Sequence, residues 1–158
     1  MIPSLYKITN IGKGTLYIMP KPSSDWLKDD IRFLKNISVT KVISLLEKTE
    51  INELGLGDEE GICKQENLLF EKYPIKDRSV PNYKSFKTFI INSLSQIVEG
   101  ENIAVHCRGG IGRAGLVACC ILKQSGLSDC NAISLVSNSR GCSIPDTKEQ
   151  LEFIKRYQ

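Results

Sequence analysis

Histidine, closely spaced cysteine pairs and long apolar runs are scarce in this 158-residue sequence, and each scarcity excludes a class of protein. The only histidine is His106, and none of the six cysteines belongs to a CxxC pair. A zinc site is therefore not expected, because zinc needs several cysteine or histidine ligands. A cysteine protease is disfavoured as well, since His106 directly precedes Cys107 and adjacent strand residues point to opposite faces. The apolar stretch around 116–122 ends at Lys123, which makes it too short for a transmembrane helix, and no membrane partner is expected.

Charge and the N-terminal residues favour an ordinary protein of the cytoplasm. The net charge of +3 is too small to indicate a nucleic-acid partner, although it fits a mild attraction to anionic substrates. Residues 1–6 lack the basic region and apolar core of a secretory signal. Without an export signal, the six cysteines are expected to be reduced thiols. The length fits one domain over residues 1–158, and we expect a monomer.

Hydrophobic periodicity predicts strands that alternate with helices. The predicted strands cover residues 16–19, 39–46, 68–75 and 103–106. The predicted helices cover residues 25–36, 49–54, 58–66, 83–98, 113–124, 129–139 and 147–157. For the first helix we expect Ser24 or Asp25 as the N-cap and Trp26 packed against the sheet. The alternation predicts an α/β domain with a largely parallel sheet covered on both faces.

The segment from His106 to Arg113 reads HCRGGIGR and is the most informative part of the sequence. A strand delivers Cys107, glycines allow the backbone to wrap tightly, and a helix begins where the loop ends. Such a loop directs several backbone N–H groups and the positive end of a helix dipole at one point, where an oxyanion can bind. The same field stabilises a thiolate on Cys107, and the planar fork of Arg113 can hold two phosphate oxygens. The residues expected to bind phosphate are Arg108, Gly109, Gly110, Ile111, Gly112 and Arg113.

Two other interpretations of this loop compete with phosphate transfer. Gly110, Gly112 and Gly115 satisfy the GxGxxG dinucleotide fingerprint, but that fingerprint needs an acidic residue about 20 positions later at the end of a strand. Here Asp129 stands at a helix start, and too little chain follows to complete a nucleotide-binding half. A purely structural turn would leave three glycines and an arginine unexplained. Phosphate transfer is therefore favoured, with His106 as a buried imidazole that holds the loop.

The pattern His-Cys-x5-Arg resembles the signature loop of the protein tyrosine phosphatase superfamily, and the resemblance extends along most of the chain. Residues 74–81 resemble the general-acid loop of dual-specificity phosphatases of the kinase-associated type, with Asp77 lying 30 positions before Cys107. Residues 144–150 and Phe153 resemble the segment in which some members place a water-positioning glutamine, here Gln150.

The resemblance implies the tyrosine-phosphatase fold, with a central four- or five-stranded, mostly parallel sheet flanked by helices. It also implies hydrolysis of phosphotyrosine on proteins, and of phosphoserine and phosphothreonine if the pocket is shallow. Cys107 would be the nucleophile, Arg113 the phosphate clamp, Asp77 the general acid and then base, and Gln150 a further catalytic residue. No metal or organic cofactor is implied. The loop lacks the pair of lysines of phosphoinositide-specific relatives, which favours a phosphorylated protein as the partner.

Ala114 is the one departure from the family pattern. The family usually has serine or threonine at this place, and its hydroxyl group hydrogen-bonds the cysteine sulfur. Losing one hydrogen bond to a charged group costs about 1.5–3 kcal/mol, so slow breakdown of the phosphocysteine is expected. Because of Ala114, a second hypothesis stays open, in which the protein binds phosphoproteins without useful turnover. A phosphatase that acts on RNA 5′ ends or inositol lipids is the other alternative.

Several residues near these motifs have simpler explanations. Asp77 could be a turn residue, and Gln150 forms a capping box with Thr147. Arg108 lies at the mouth of the site or is a solvated loop side chain. Arg140 is expected to complement the dipole at the end of its helix.

Overall fold

A computed structural model describes residues 2–158; Met1, where the predicted domain begins, lies outside them. Five strands form one sheet in the order β1-β2-β5-β3-β4. Only β1 is antiparallel to its neighbour, and the other three pairings are parallel. The α/β class and the mostly parallel sheet predicted from the sequence are therefore confirmed. The strands are β1 (Tyr6–Ile11), β2 (Gly14–Met19), β3 (Lys41–Ser44), β4 (Leu69–Lys72) and β5 (Asn102–His106).

Seven helices within residues 2–158 flank the sheet, and each corresponds to a predicted helix. They are α1 (Leu27–Asn36), α2 (Lys48–Glu53), α3 (Glu59–Gln65), α4 (Tyr83–Glu99), α5 (Gly112–Gln124), α6 (Asp129–Arg140) and α7 (Lys148–Arg156). None of the helices in the described part of the chain is long and apolar enough to cross a membrane.

The start of α1 differs from its prediction. Trp26 occupies the N-cap position and no side chain caps the helix, so the predicted cap at Ser24 or Asp25 is wrong. Trp26 is 50% exposed, so its predicted packing against the sheet is wrong too. The reason is that the buried stripe of α1 begins one residue later and contains Leu27, Ile31 and Leu34.

The sheet separates two apolar layers. One contains α4, α5 and α7 packed on Leu16, Ile43 and Val105, and the other contains α1 and α3 packed on Val42 and Ala104. Strands β3 and β5 are buried on both faces, which explains the apolar residues at their centres, whereas Thr15 and Tyr17 of β2 are only partly buried.

The parallel arrangement brings four loops to one edge of the sheet. Because β2, β3, β4 and β5 run in the same direction, the segments that follow them meet at their carboxyl ends. The loop 107–111 after β5 lies centrally, because β5 pairs with β2 on one side and with β3 on the other. A site at this edge can therefore collect residues from distant parts of the sequence.

Candidate active site

The glycine-rich loop joins the end of β5 to the start of α5, as its sequence predicts. Cys107 follows β5 directly and is only 3% exposed. Gly110 has a φ of 69°, and a Cβ atom there would lie 2.5 Å from the backbone of Met19 and Pro20. Both the left-handed backbone and the close approach of the end of β2 therefore require glycine at this position.

Four successive carbonyl groups of this loop face groups outside it. The carbonyl oxygen of Cys107 lies 3.3 Å from His106 Nδ1, and that of Arg108 accepts a 3.1 Å hydrogen bond from the amide of Lys21. The next two carbonyl oxygens accept hydrogen bonds from one side chain, Arg140, which lies 3.1 Å from each of them. In a trans peptide the C=O and the following N–H point in opposite directions, so the amides that follow these carbonyls are directed inward.

The inward amides have no hydrogen-bond partner among the described residues. Among the loop, turn and cap hydrogen bonds of residues 2–158, none is donated by the backbone of residues 108–112. These donors surround Cys107 at the N-terminus of α5, where the helix dipole adds positive potential. The loop is consequently a preformed cradle for an oxyanion.

Arg113 is held beside this cradle by a carboxylate that the sequence did not point to. Its side chain is 1% exposed, and Nη1 and Nη2 donate to Glu50 Oε2 and Oε1 at 2.8 and 2.9 Å. Nη1 also donates to the Ile75 carbonyl at 2.9 Å. Among the described residues, Nε of Arg113 is the one buried side-chain nitrogen or oxygen without a hydrogen-bond partner. A donor at the wall of the pocket is therefore free for a ligand.

Burial by itself raises the pKa of Glu50, but hydrogen bonds from Arg113, the Glu47 amide and Arg108 outweigh it and lower that pKa to about 2. Glu50 thus stays ionised at neutral pH and balances the buried guanidinium group.

Asp77 reaches the site from the loop after β4. Its Oδ1 lies 3.1 Å from Arg113 Nη2, and its side chain is half exposed. Together with Cys107 it lines a pocket of about 150 Å³. The pocket is also lined by Arg78, Arg108, Gly109, Ile111, Gly112, Arg113, Asp146 and Gln150. The structure therefore brings the predicted nucleophile, clamp, acid and glutamine to one cavity, and of the residues predicted to bind phosphate only Gly110 is not among those that line it.

Gln150 is fully buried, and its side chain is already engaged. Its Oε1 accepts hydrogen bonds from the amides of Asp146 and Thr147 at 3.2 and 3.1 Å, and its Nε2 donates to the Ser79 carbonyl at 3.3 Å. The predicted capping box with Thr147 is confirmed. Gln150 also connects the acid loop to the start of α7, and the pair between Arg78 and Asp146 at 3.5 Å makes a second connection.

His106 has the structural position that was predicted for it. It is 0% exposed, and its Nε2 lies 2.7 Å from Oε1 of Glu59, which is itself 2% exposed. Since Nδ1 faces the loop carbonyl of Cys107, the imidazole connects α3 to the loop. Within residues 2–158 no group of three or more His, Cys, Asp and Glu side chains could hold a metal ion.

Sequence reasoning missed the partners that orient the loop. Glu50 and Glu59 belong to short helices, and nothing in their local sequence distinguishes them from solvated residues. Arg140 was explained by a helix dipole, but its guanidinium group binds the carbonyls of Gly109 and Gly110. The one available signal was topological, because Glu50 closely follows β3 and the ends of parallel strands meet at one edge.

Comparison with known proteins agrees with this geometry. A family model described as the Swiss Army Knife protein DSP-PTPase phosphatase domain matches residues 7–154. Protein 197R of Invertebrate iridescent virus 6, an inferred tyrosine phosphatase, is 31% identical over 157 residues, which cover 91% of this chain and 57% of the viral protein. Cyclin-dependent kinase inhibitor 3 of Rattus norvegicus is 22% identical over 134 residues, which cover 84% of this chain and 63% of the rat protein. The chain thus spans less than two thirds of the length of either relative.

The fold is also that of a solved phosphatase. The crystal structure of kinase-associated phosphatase with serine in place of its catalytic-site cysteine superimposes with a TM-score of 0.86 at 18% sequence identity, covering 98% of this chain and 93% of that one. At this identity the likeness concerns the fold alone, whereas the family model covers nearly the whole sequence. The chain belongs to the family of DSP-PTPase phosphatase domains, the dual-specificity branch of the protein tyrosine phosphatases.

Proposed function

We propose that this protein hydrolyses phosphate monoesters on proteins through a covalent phosphocysteine on Cys107. One observation carries the proposal: a nearly buried thiol lies in a pocket whose inward amides and Arg113 Nε have no hydrogen-bond partner among residues 2–158. A phosphoryl group supplies the acceptors that these donors lack. Preorganised donors of this kind stabilise charge that develops on transferred oxygens.

In the proposed first step the Cys107 thiolate attacks phosphorus in line with the ester bond. A sulfur–phosphorus bond forms, the phosphorus–oxygen bond to the substrate breaks, and protonated Asp77 gives its proton to the departing oxygen. Arg113 and the loop amides hold the three equatorial oxygens during the transfer. Asp77 lies at the same pocket as Cys107, which is the position such an acid requires.

In the second step a water molecule attacks the phosphocysteine. Asp77 takes the proton of the water, inorganic phosphate leaves, and the thiolate is regenerated. Gln150 is proposed to place this water, which requires it to exchange at least one of its hydrogen bonds with Asp146, Thr147 and Ser79.

The charges at the mouth of the pocket favour a singly phosphorylated protein segment as the substrate. Arg78 pairs with Asp146 at 3.5 Å, and Arg108 pairs with Glu50 and Glu53 at 3.2 and 3.4 Å. Both arginines at the mouth are thus engaged by carboxylates. An inositol headgroup or an RNA 5′ end with several phosphates would need additional free cations. Phosphotyrosine is the proposed substrate, with phosphoserine and phosphothreonine as further candidates.

One observation favours the rival, a phosphoprotein-binding protein with negligible turnover. Ala114 is fully buried directly after Arg113, so the position expected to stabilise the leaving thiolate has no hydroxyl group. The rival keeps the same anion cradle and differs only in the rate of the second step.

We propose one phosphatase domain over residues 1–158, acting as a monomer without metal or organic cofactor and without a nucleic-acid partner. All six cysteines are free thiols, which supports a reducing, cytoplasmic location.

Phosphate release from para-nitrophenyl phosphate, without added metal, tests the mechanism. Cys107→Ser is expected to abolish release, and Asp77→Asn to lower kcat by roughly 10²–10⁴-fold. Cys130→Ser, which changes an exposed thiol at the start of α6, is the matched control and should behave like the wild type. A wild type as inactive as Cys107→Ser would refute efficient catalysis. A panel of phosphopeptides, inositol phospholipids and 5′-phosphorylated RNA would then separate the substrate classes.

A further inference from the structure

Arg140 makes contacts that neither the family motifs nor the proposed reaction uses. Its Nε donates to the carbonyl of Gly110 and its Nη2 donates to the carbonyl of Gly109, both at 3.1 Å. Its Cζ lies 4.1 Å from the centroid of the Tyr6 ring. One side chain at the end of α6 therefore bridges the edge strand β1 and the loop that surrounds Cys107.

The two carbonyl groups belong to the part of the loop that most needs an external restraint. Gly109 and Gly110 have no side chains, and a Cβ atom at Gly109 would lie in open space. Consecutive glycines can rotate their peptide planes at little steric cost, and this freedom opposes a fixed loop geometry. Because Arg140 holds both carbonyl oxygens on the outer side, the amides of Gly110 and Ile111 are held pointing toward the pocket.

The contact is not explained by the dipole of α6. A basic residue that only complements a dipole interacts with the last carbonyls of its own helix. The guanidinium group of Arg140 instead binds carbonyl groups of the glycine-rich loop, about 30 positions earlier in the sequence. The Tyr6 ring covers one face of the group, and stacking of this kind favours the planar guanidinium over an ammonium.

We propose that Arg140, stacked on Tyr6, is a positioning residue that orients the amides of Gly110 and Ile111 for phosphate binding. The proposal rests on the function proposed above for the loop. Arg140 does not touch the phosphate and acts only through the two peptide groups. Its loss should therefore weaken anion binding while the other contacts of the loop keep the fold.

Binding of tungstate, an inert phosphate analogue, tests this role without any turnover. In a Cys107→Ser background, calorimetry should show affinity falling about tenfold for Arg140→Met, since two oriented donors are lost from the cradle. Arg140→Lys should recover only part of the loss, because one ammonium group cannot match the two-pronged geometry. Tyr6→Leu should lower the tungstate affinity by less than Arg140→Met does. Tyr6→Phe, which keeps the aromatic ring, should bind tungstate like the parent. Arg156→Met, at the end of α7, is the matched control and should bind like the parent.

The outcomes separate this proposal from the proposed function. In the active enzyme, Arg140→Met should raise KM for para-nitrophenyl phosphate more than it lowers kcat. Equal tungstate affinity in the parent and in folded Arg140→Met would overturn the positioning role, and if Arg140→Met does not fold, unchanged affinity in Arg140→Lys and Tyr6→Leu would do so. Tungstate binding by the Cys107→Ser parent, together with a wild type that hydrolyses no phosphate ester, would refute the enzymatic activity and leave the role of Arg140 standing. A parent that does not bind tungstate would refute both.

Discussion

Glu50 holds Arg113 through two parallel hydrogen bonds, 2.8 Å from Glu50 Oε2 to Arg113 Nη1 and 2.9 Å from Oε1 to Nη2. The pair leaves Arg113 Nε without a partner at the pocket. Because both side chains are nearly buried, the carboxylate neutralises a charge that the interior could not otherwise accommodate. The short helix α2 is therefore part of the site although it contributes no reacting atom.

Glu50→Gln is expected to lower both stability and activity. Breaking a buried ion pair on one side costs roughly 3–5 kcal/mol, because the other charge stays buried without its partner. Urea unfolding measures the first effect, and kcat/KM for para-nitrophenyl phosphate, expected to fall at least about tenfold, measures the second. Glu53→Gln, which loses only an exposed pair with Arg108, is the matched control. Identical behaviour of the two variants would contradict the assigned role of Glu50.

The same pair predicts how stability depends on pH. The pKa of Glu50 is lowered from 4.5 to about 2, so the folded state binds its proton more weakly than the unfolded state does. The stabilisation, roughly 3 kcal/mol from this shift, is complete above the unfolded pKa and disappears as the pH falls from about 4.5 to 2. Unfolding free energies measured from pH 7 downward should therefore converge for wild type and Glu50→Gln in this window. A difference that persists unchanged at the acidic end would show that packing, and not charge, accounts for the loss.

Ala114→Ser should accelerate the second chemical step. The added hydroxyl group lies beside the loop, where a hydrogen bond to the leaving thiolate is worth about 1.5–3 kcal/mol. Rapid-quench measurement should show less accumulated phosphocysteine and a higher steady-state rate. Ala118→Ser, a buried change one turn further along α5, should bring no gain in rate. An unchanged rate for Ala114→Ser would indicate that another group already assists the departure of the thiolate.

Two neighbouring glycines of the loop should respond differently to alanine. At Gly110 the φ of 69° and the 2.5 Å approach to Met19 and Pro20 make any Cβ atom unfavourable. At Gly109 nothing lies within 4 Å of the added atom. Gly110→Ala is therefore expected to lower the free energy of unfolding by roughly 1–3 kcal/mol and the melting temperature by several degrees. Gly109→Ala should remain close to the wild type in stability. Equal melting temperatures would mean that the loop can move away from the end of β2.

The sequence alone determined those elements whose determining residues lie close together in the chain. Helical periodicity located all seven helices, and the contiguous strand–loop–helix pattern from Ile103 to Gln124 specified the cradle, its cysteine and its arginine. This was possible because all of the loop groups proposed to bind phosphate are within a few residues of one another. Strand β1 was missed because polar residues, of which Lys7 and Asn10 are exposed, interrupt its apolar pattern.

Only the tertiary structure decided which residues orient that cradle. Glu50 lies 63 positions before Arg113, and Arg140 lies 30 positions after Gly110, so no periodicity or spacing rule connects either pair. The sheet brings them together because its parallel strands end at one edge, and burial there makes an unpaired charge or carbonyl costly. Local sequence thus specifies the groups proposed to bind phosphate, whereas long-range packing selects the partners that hold those groups in place.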